Sequence, residues 1–285
     1  MLVYKSGSTG EEINLSEEHI KAHIKTAGLY DYDWNVNEIE LKTGIEVDGF
    51  QRNSKQYELT LDFRGSKEER AEAAEKFFRI TERDVIEKIS GRLYFKDHYL
   101  KCYVIGSKYE NAGRARIVRK TASVYAPKPV WITEVSRSFQ KIGASEGSKE
   151  YLDYEYDYNF DYTMPYGGDV IWNVDHYSQC DFLMTIFGPC VDPRVVINGH
   201  PYQVYVTLDE NEYLQIDSRP NANTVVKYAA NGIQQDVYDM RAKRESVFDP
   251  ITPGNVRVVW SGEFGFDLTL YCDCLLYTSP SPRDM

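Results

Sequence analysis

Residues 56–79 read QYELTLDFRGSKEERAEAAEKFFR, and the change of period inside this stretch decides what kind of domain it belongs to. Tyr57, Leu59, Leu61 and Phe63 recur at every second position, with Glu58, Thr60 and Asp62 between them. Successive side chains of a strand face opposite sides, so this is a strand with one covered face. After Gly65 the period lengthens. Ser66 can accept a hydrogen bond from the amide two or three residues on, and Glu69 can return to the Ser66 amide, which makes a capping box. From Lys67 to about Arg79, Ala71, Ala74, Phe77 and Phe78 make one apolar stripe, while Lys67, Glu68, Arg70, Glu72, Glu75 and Lys76 serve the wet side. One helix packed on strands follows.

Outward from this unit the chain returns to short alternating segments. Ile39 to Val47, IELKTGIEV, reads as strand with one face covered. Beyond the helix, RLYF, a break at Asp97 and His98, and then YLKCYVIG read as strands, as does Arg114 to Tyr125. APKP at 126–129 stops the last of these, because proline gives no amide to a ladder. Residues 1–132 therefore read as a small α+β domain. The second half, 133–273, consists of strand-like pieces separated by NG, DEN, DP and PGN turns without a convincing helix, the pattern of an antiparallel β-sandwich. In the Asn198-Gly199 turn, Gly199 is expected to take positive φ. The last residues, 274–285, CLLYTSPSPRDM, follow the strand EFGFDLTLY without a turn or cap and read as a non-native read-through tail.

The chain has 285 residues, enough for two domains, and 23 tyrosines, which suit half-buried β-surfaces and interfaces. Its net charge of −11 opposes sequence-independent capture of a phosphate backbone. The most basic run, RARIVRK at 114–120, spreads its charge over both strand faces. No run approaches the roughly 20 apolar residues of a membrane span, and MLVYKSGSTGEEIN lacks a secretory apolar core, so synthesis in a cytoplasm is expected. Five cysteines, at 102, 180, 190, 272 and 274, form no CxxC and have no histidine at metal-ligand spacing. Cys102, Cys180 and Cys190 read as buried thiols. The Cys272/Cys274 pair holds a metal only with partners from elsewhere.

The stretch 151–162, YLDYEYDYNFDY, sets Tyr154, Tyr156, Tyr158, Phe160 and Tyr162 on one face of an extended segment and Asp153, Glu155, Asp157 and Asp161 on the other. Carboxylates two apart lie about 6 to 7 Å from each other, a spacing that suits paired acid and nucleophile. A solvated face looks the same, and nothing local separates the two pKa values as catalysis requires. The aromatics suit a partner surface or, as the alternative, a glycan-facing platform with Trp172 or Trp260. DENE at 209–212 and DYDW at 31–34 offer oxygens but lack the EF-hand spacing. His19 and His23 sit four apart on a possible short helix, EEHIKAHI, but HIKAH has no glutamate to activate water. GxGxxG, Walker and GxSxG motifs are absent, and no cofactor, metal or catalytic residue is assigned.

The order of GIEVDGF, QYELTLDF, the capped SKEERAEAAEKFF, GRLYFKDHYLKCYVIG, APKPVW, the acidic aromatic YEYDYNFDY, FGPCVDPRVVING, NEYLQIDS and SVFDPITPGNVRVVW resembles the distal tail proteins of long-tailed phages. The resemblance covers residues 1–273. It implies a non-catalytic virion component: an N-terminal belt domain that closes a hexameric ring, and a peripheral C-terminal domain with a galectin-like sandwich. It implies a place at the distal end of the tail, between the tail tube protein and tail-tip, tail-fibre or baseplate proteins. Tape-measure protein and DNA would pass through its channel unbound, and no membrane insertion is implied. Tyr57, Leu59, Leu61 and Phe63 match the belt strand, Ala71, Ala74 and Phe77 the helix on it, and Val256, Val258 and Trp260 a late sandwich strand. The alternative function is a non-catalytic carbohydrate-binding adhesion module, and a carboxylate-based hydrolase stands behind it.

Overall fold

The computed structural model describes residues 1–24, 27–110, 117–142, 168–220 and 222–274. It divides into two compact units. The first takes Met1–Thr133 and the end of the chain from Asp273, and the second takes Glu134–Cys272.

In the first unit the opening stretch folds as its periods require. Strand β6 (Lys55–Arg64) buries Tyr57, Leu59, Leu61 and Phe63. It lies between β3 (Ile20–Ala22) and β9 (Ile117–Ala126). Helix α1 (Lys67–Glu87) starts at Ser66, whose hydroxyl accepts from the Glu69 amide at 3.2 Å while Glu69 Oε2 accepts from the Ser66 amide at 2.7 Å. Two details differ from the sequence reading. The helix continues to Glu87 rather than ending near Arg79, because Ile80, Thr81 and Asp84 carry its buried face onward. Polar Thr81 is tolerated there by donating to the Phe77 carbonyl at 3.0 Å. Ala71 is exposed, and the packed stripe runs instead through Ala73, Ala74, Phe77, Phe78 and Ile80.

The remaining strands of this unit are β1 (Leu2–Lys5), β2 (Glu12–Asn14), β4 (Asn35–Leu41), β5 (Gly44–Gln51), β7 (Gly91–Phe95) and β8 (His98–Glu110). Strands β2, β1, β7 and β8 follow one another as antiparallel neighbours. The long β8 then changes partner. Its first part faces β7 and the opening residues Trp131 to Thr133 of β10 (Trp131–Phe139), and its later part pairs with β9 after a register shift between Val104 and Gly106. An irregularity of this kind bends a strand and lets one element serve two sheets. The segment that holds His19 and His23 is not helical: Ile20–Ala22 is strand β3, pinned by β6.

The second unit is all-β among its described residues, apart from one turn of 3-10 helix at Tyr238–Met240. Its strands are β11 (Gly168–Val174), β12 (Asp181–Phe187), β13 (Cys190–Val191), β14 (Arg194–Ile197), β15 (His200–Gln203), β16 (Thr207–Leu208), β17 (Tyr213–Asp217), β18 (Thr224–Tyr228), β19 (Gln234–Asp236), β20 (Gly254–Trp260) and β21 (Phe266–Cys274). One sheet runs β19-β18-β17-β12-β21 and the other β11-β20-β14-β15, with β13 and β16 as a small extra pair. Inward residues of both sheets, among them Phe182, Met184, Leu268, Val256 and Val258, make one core, which is the construction of a sandwich. Phe139 stacks on Phe266 with centroids 4.6 Å apart and meets the Trp260 ring edge-on at 5.6 Å. The β14–β15 hairpin turns on Asn198 and Gly199, both at positive φ, as the Asn-Gly signal requires.

Candidate assembly interface

The most unusual surface of the described residues is the hairpin β4–β5. Every residue of β4 is exposed, and every residue of β5 except Gly49. The alternation in 39–47 is real, but it belongs to two strands joined at Lys42 and Thr43 with neither face covered, where the sequence reading placed one strand with one covered face. The exposed side chains include Val36, Ile39, Leu41, Val47, Ile45 at 66% and Phe50 at 62% of full exposure.

Their placement follows from the register. Val36 stands opposite Phe50, Glu38 opposite Val47, and Glu40 opposite Ile45. Between Asn37 and Glu38 the register shifts and leaves Asp48 as the extra residue. In an unbroken strand Phe50 would lie on the face opposite Ile45 and Val47, because side chains alternate. The bulge brings all three to one face with Val36. Trp34 extends this strip: its ring meets Phe50 edge-on at 6.4 Å, and the Arg52 guanidinium covers it at 4.1 Å. The product is a ribbon carrying a continuous apolar strip edged by Glu38 and Glu40. Exposed apolar patches of this kind mark surfaces that other chains cover.

Among the described residues the first unit also holds two buried carboxylates, and both are closed off by their own donors. Asp62, on the otherwise polar side of β6, takes Arg119 Nε and Nη2 at 2.7 and 3.1 Å and His23 Nε2 at 2.9 Å, with Arg64 at 3.6 Å. Burial pushes its pKa up, but the hydrogen bonds from Arg119 and His23 outweigh that and hold it down to about 2. Asp84 on α1 is fully buried and accepts from Tyr4 Oη at 2.7 Å, Ser6 Oγ at 2.7 Å, and the amide and hydroxyl of Ser8 at 2.9 and 2.6 Å. Here too burial works upward, and the donors, Ser8 foremost, bring the carboxyl below its ordinary value. A carboxylate saturated by structural donors has no lone pair aimed at a substrate, so both act as fasteners of the unit.

Neither a protein-family model nor a curated protein matches the sequence. Solved structures do. The crystal structure of the SPP1 Dit protein, described as a paradigm of the hub adsorption apparatus in phages that infect Gram-positive bacteria, superposes with a TM-score of 0.57 at 9% identity, over 96% of this chain and 100% of that one. A chain of the phage P2 baseplate in its activated conformation with calcium gives 0.63 at 10% identity, over 97% of this chain and 100% of that one. The same baseplate with strontium gives 0.62 at 10% identity, again over 97% and 100%. The chain has the Dit fold.

Within that fold the residues singled out in the sequence fall into three groups. Tyr57, Leu59, Leu61, Phe63 and Phe77 lie in the core of the first unit, and Val256, Val258 and Trp260 in that of the second. Ala71 faces an open cleft of about 920 Å³ beside Ala74, Phe78, Val85, Ile105 and Lys120. Tyr154, Tyr156, Tyr158, Phe160 and Tyr162, with the acidic face between them, lie outside the described residues, as does the tail from 275 on; Cys274 closes β21.

Trp172 and Trp260 are buried at 8% and 5% exposure, packed on Phe139, and so do not form the sugar-facing platform that the alternative reading gave them. Of the two acidic turns, DENE is tied down by Glu212, which binds Lys227 at 2.7 Å and the Asp209 amide at 2.9 Å. In DYDW, Asp33 takes the Lys55 ammonium at 3.1 Å. No described helix is long and apolar enough to cross a membrane.

Proposed function

We propose that this Dit-fold protein is a structural component of a long-tailed phage tail tip, acting by assembly and without turnover. Copies of the first unit associate side by side into a closed ring, with six subunits the expected number, which joins the tail tube to baseplate or host-recognition proteins. A ring repeats one heterologous contact until no edge remains. The second unit, a galectin-like sandwich in this reading, supplies the docking surface for tail-tip proteins, and the ring's channel passes tape-measure protein and DNA without holding them. The net charge of −11 suits such a passage, because it gives DNA no electrostatic trap.

The observation that carries the reading is the β4–β5 hairpin. A chain that exposed Val36, Ile45, Val47 and Phe50 on one ribbon face while monomeric would present an aggregation hazard. A neighbouring copy laid over that face removes it from water. At about 25 cal/mol per Å² of apolar area, covering such strips around a ring supplies a driving force of several kcal/mol per contact. The test is native mass measurement with negative-stain microscopy of the purified chain: ring-sized particles for the unaltered protein, and their loss when the strip is made charged. A stable monomer of both proteins at micromolar concentration contradicts a self-sufficient ring.

A further inference from the structure

We propose that His176, Cys180 and Cys272 form a zinc site in the second unit. Their ligand atoms all lie within 4.8 Å of one another. The sequence shows only part of this set: His176 lies four residues before Cys180, while Cys180 and Cys272 are 92 residues apart and no motif spacing joins those two.

The fold brings them together through strand register. Asp181 of β12 pairs with Tyr271 of β21, so Cys180 and Cys272 are the next residues to meet. Cys180 exchanges both of its backbone hydrogen bonds with Ile251, on the side away from β21. Cys180 and Cys272 are therefore a non-hydrogen-bonded cross-strand pair, the kind in which side chains come closest. Their sulfurs are 3.2 Å apart, well beyond the roughly 2.05 Å of a disulfide. His176 arrives from the loop between β11 and β12. Ser178 fixes it: the Ser178 hydroxyl is 2.9 Å from His176 Nε2. Partners of this kind orient the ligands of metal sites. The hydrogen bond that the Cys180 thiol donates to the Ser178 carbonyl at 3.4 Å belongs to the metal-free form and is given up when that thiol loses its proton.

Two sulfurs and one imidazole nitrogen are the donor set of zinc rather than of a hard cation. A tetrahedral zinc with Zn–S near 2.3 Å sets two thiolates about 3.8 Å apart. The pair thus opens by about half an ångström, within reach of a small χ1 rotation. Cys180 and Cys272 are buried and His176 is partly exposed, so the metal enters, and the fourth position is filled by water or another outside ligand, from the histidine side. Binding converts two thiols to thiolates and releases two protons to solvent, so affinity rises with pH. Cys274 is not part of the set: its sulfur meets the Trp131 carbonyl at 3.3 Å and His98 Nδ1 at 3.5 Å.

The test uses the full chain, reduced and metal-free, titrated with zinc against a chromophoric chelator and separately with cobalt(II). The expected result is one zinc per chain, release of about two protons at a pH where the thiols are protonated, and a cobalt spectrum with thiolate charge-transfer bands. Cys272→Ser and Cys180→Ser should each weaken binding by about 100-fold or more, while Cys274→Ser leaves it unchanged. If a serine variant fails to fold, alkylation of the unaltered protein decides: zinc must slow labelling of Cys180 and Cys272 together. No zinc uptake by the reduced, folded chain, labelling unaffected by zinc, or a Cys272→Ser protein that binds as tightly as the original overturns the proposal. So does a Cys180–Cys272 disulfide that resists reduction in the folded protein.

Discussion

Val36 and Phe50 stand directly opposite each other in the β4–β5 hairpin, and both are exposed. Cross-strand aromatic and β-branched pairs stabilise a two-stranded ribbon, but such a ribbon is at best marginal when nothing covers it. The pair therefore does two things at once. It ties the two strands of the hairpin to each other, and it forms part of an exposed apolar strip.

The first prediction concerns that strip. Ile45→Lys combined with Phe50→Lys should abolish oligomers and leave a folded monomer that loses only the cross-strand contribution of the Val36–Phe50 pair, about 0.2–1 kcal/mol. Sedimentation velocity and circular dichroism read the two effects separately. Oligomers that persist in the double variant would place the contact elsewhere.

Asp84 supplies the second. It joins α1 to the first strand through Tyr4 and to the following turn through Ser6 and Ser8. Asp84→Leu strands two buried donors, Tyr4 Oη and Ser6 Oγ, and two half-buried ones on Ser8, and should cost several kcal/mol, since each buried unsatisfied group costs about 1–3 kcal/mol. Tyr4→Phe removes one bond to a charged acceptor and should cost about 1.5–3 kcal/mol. Urea denaturation of both proteins orders them; equal stabilities would deny the network its role.

Asp62 carries a pH dependence with a definite sign. Its folded pKa, about 2, is below the value of roughly 3.9 expected in the unfolded chain. Its contribution is therefore complete above about pH 4 and is lost as pH falls through about 2. Arg119→Met leaves the buried carboxylate short of its main partner and should destabilise the first unit by about 3 kcal/mol at neutral pH. The penalty should shrink on acidification as Asp62 protonates. A penalty that is flat between pH 5 and pH 2 would sink this assignment.

Gly168 tests the sandwich core. It lies opposite Trp260 in the β11–β20 pair, and a Cβ there would come within 2.1 Å of the Trp260 ring. Gly168→Ala should cost about 1–3 kcal/mol through overpacking and shift the near-ultraviolet signal of the tryptophan. Unchanged stability and spectrum would show that the ring is not seated against that glycine.

Much of this architecture was legible in the residues themselves, where the controlling interaction is local. The alternation of Tyr57 to Phe63, the Ser66 and Glu69 capping box, and the Asn198-Gly199 turn each specify their own geometry, and all three are found as read. What escaped depends on partners far along the chain. The helix end was misplaced because Thr81 and Asp84 look like wet residues until Phe77 and Tyr4 are seen to satisfy them. Residues 39–47 alternate whether or not anything covers a face, and the bulge at Asp48 leaves no mark in composition. Cys272 meets His176 and Cys180 only through the pairing of β12 with β21.

The most direct test of the account is the mass of the intact particle formed by the purified chain at micromolar concentration. Six subunits in a closed annulus with an open centre is the predicted result, reverting to single chains when Ile45 and Phe50 are both replaced by lysine. A single-chain mass for the unaltered protein, unchanged by addition of tail-tube and baseplate proteins, contradicts it.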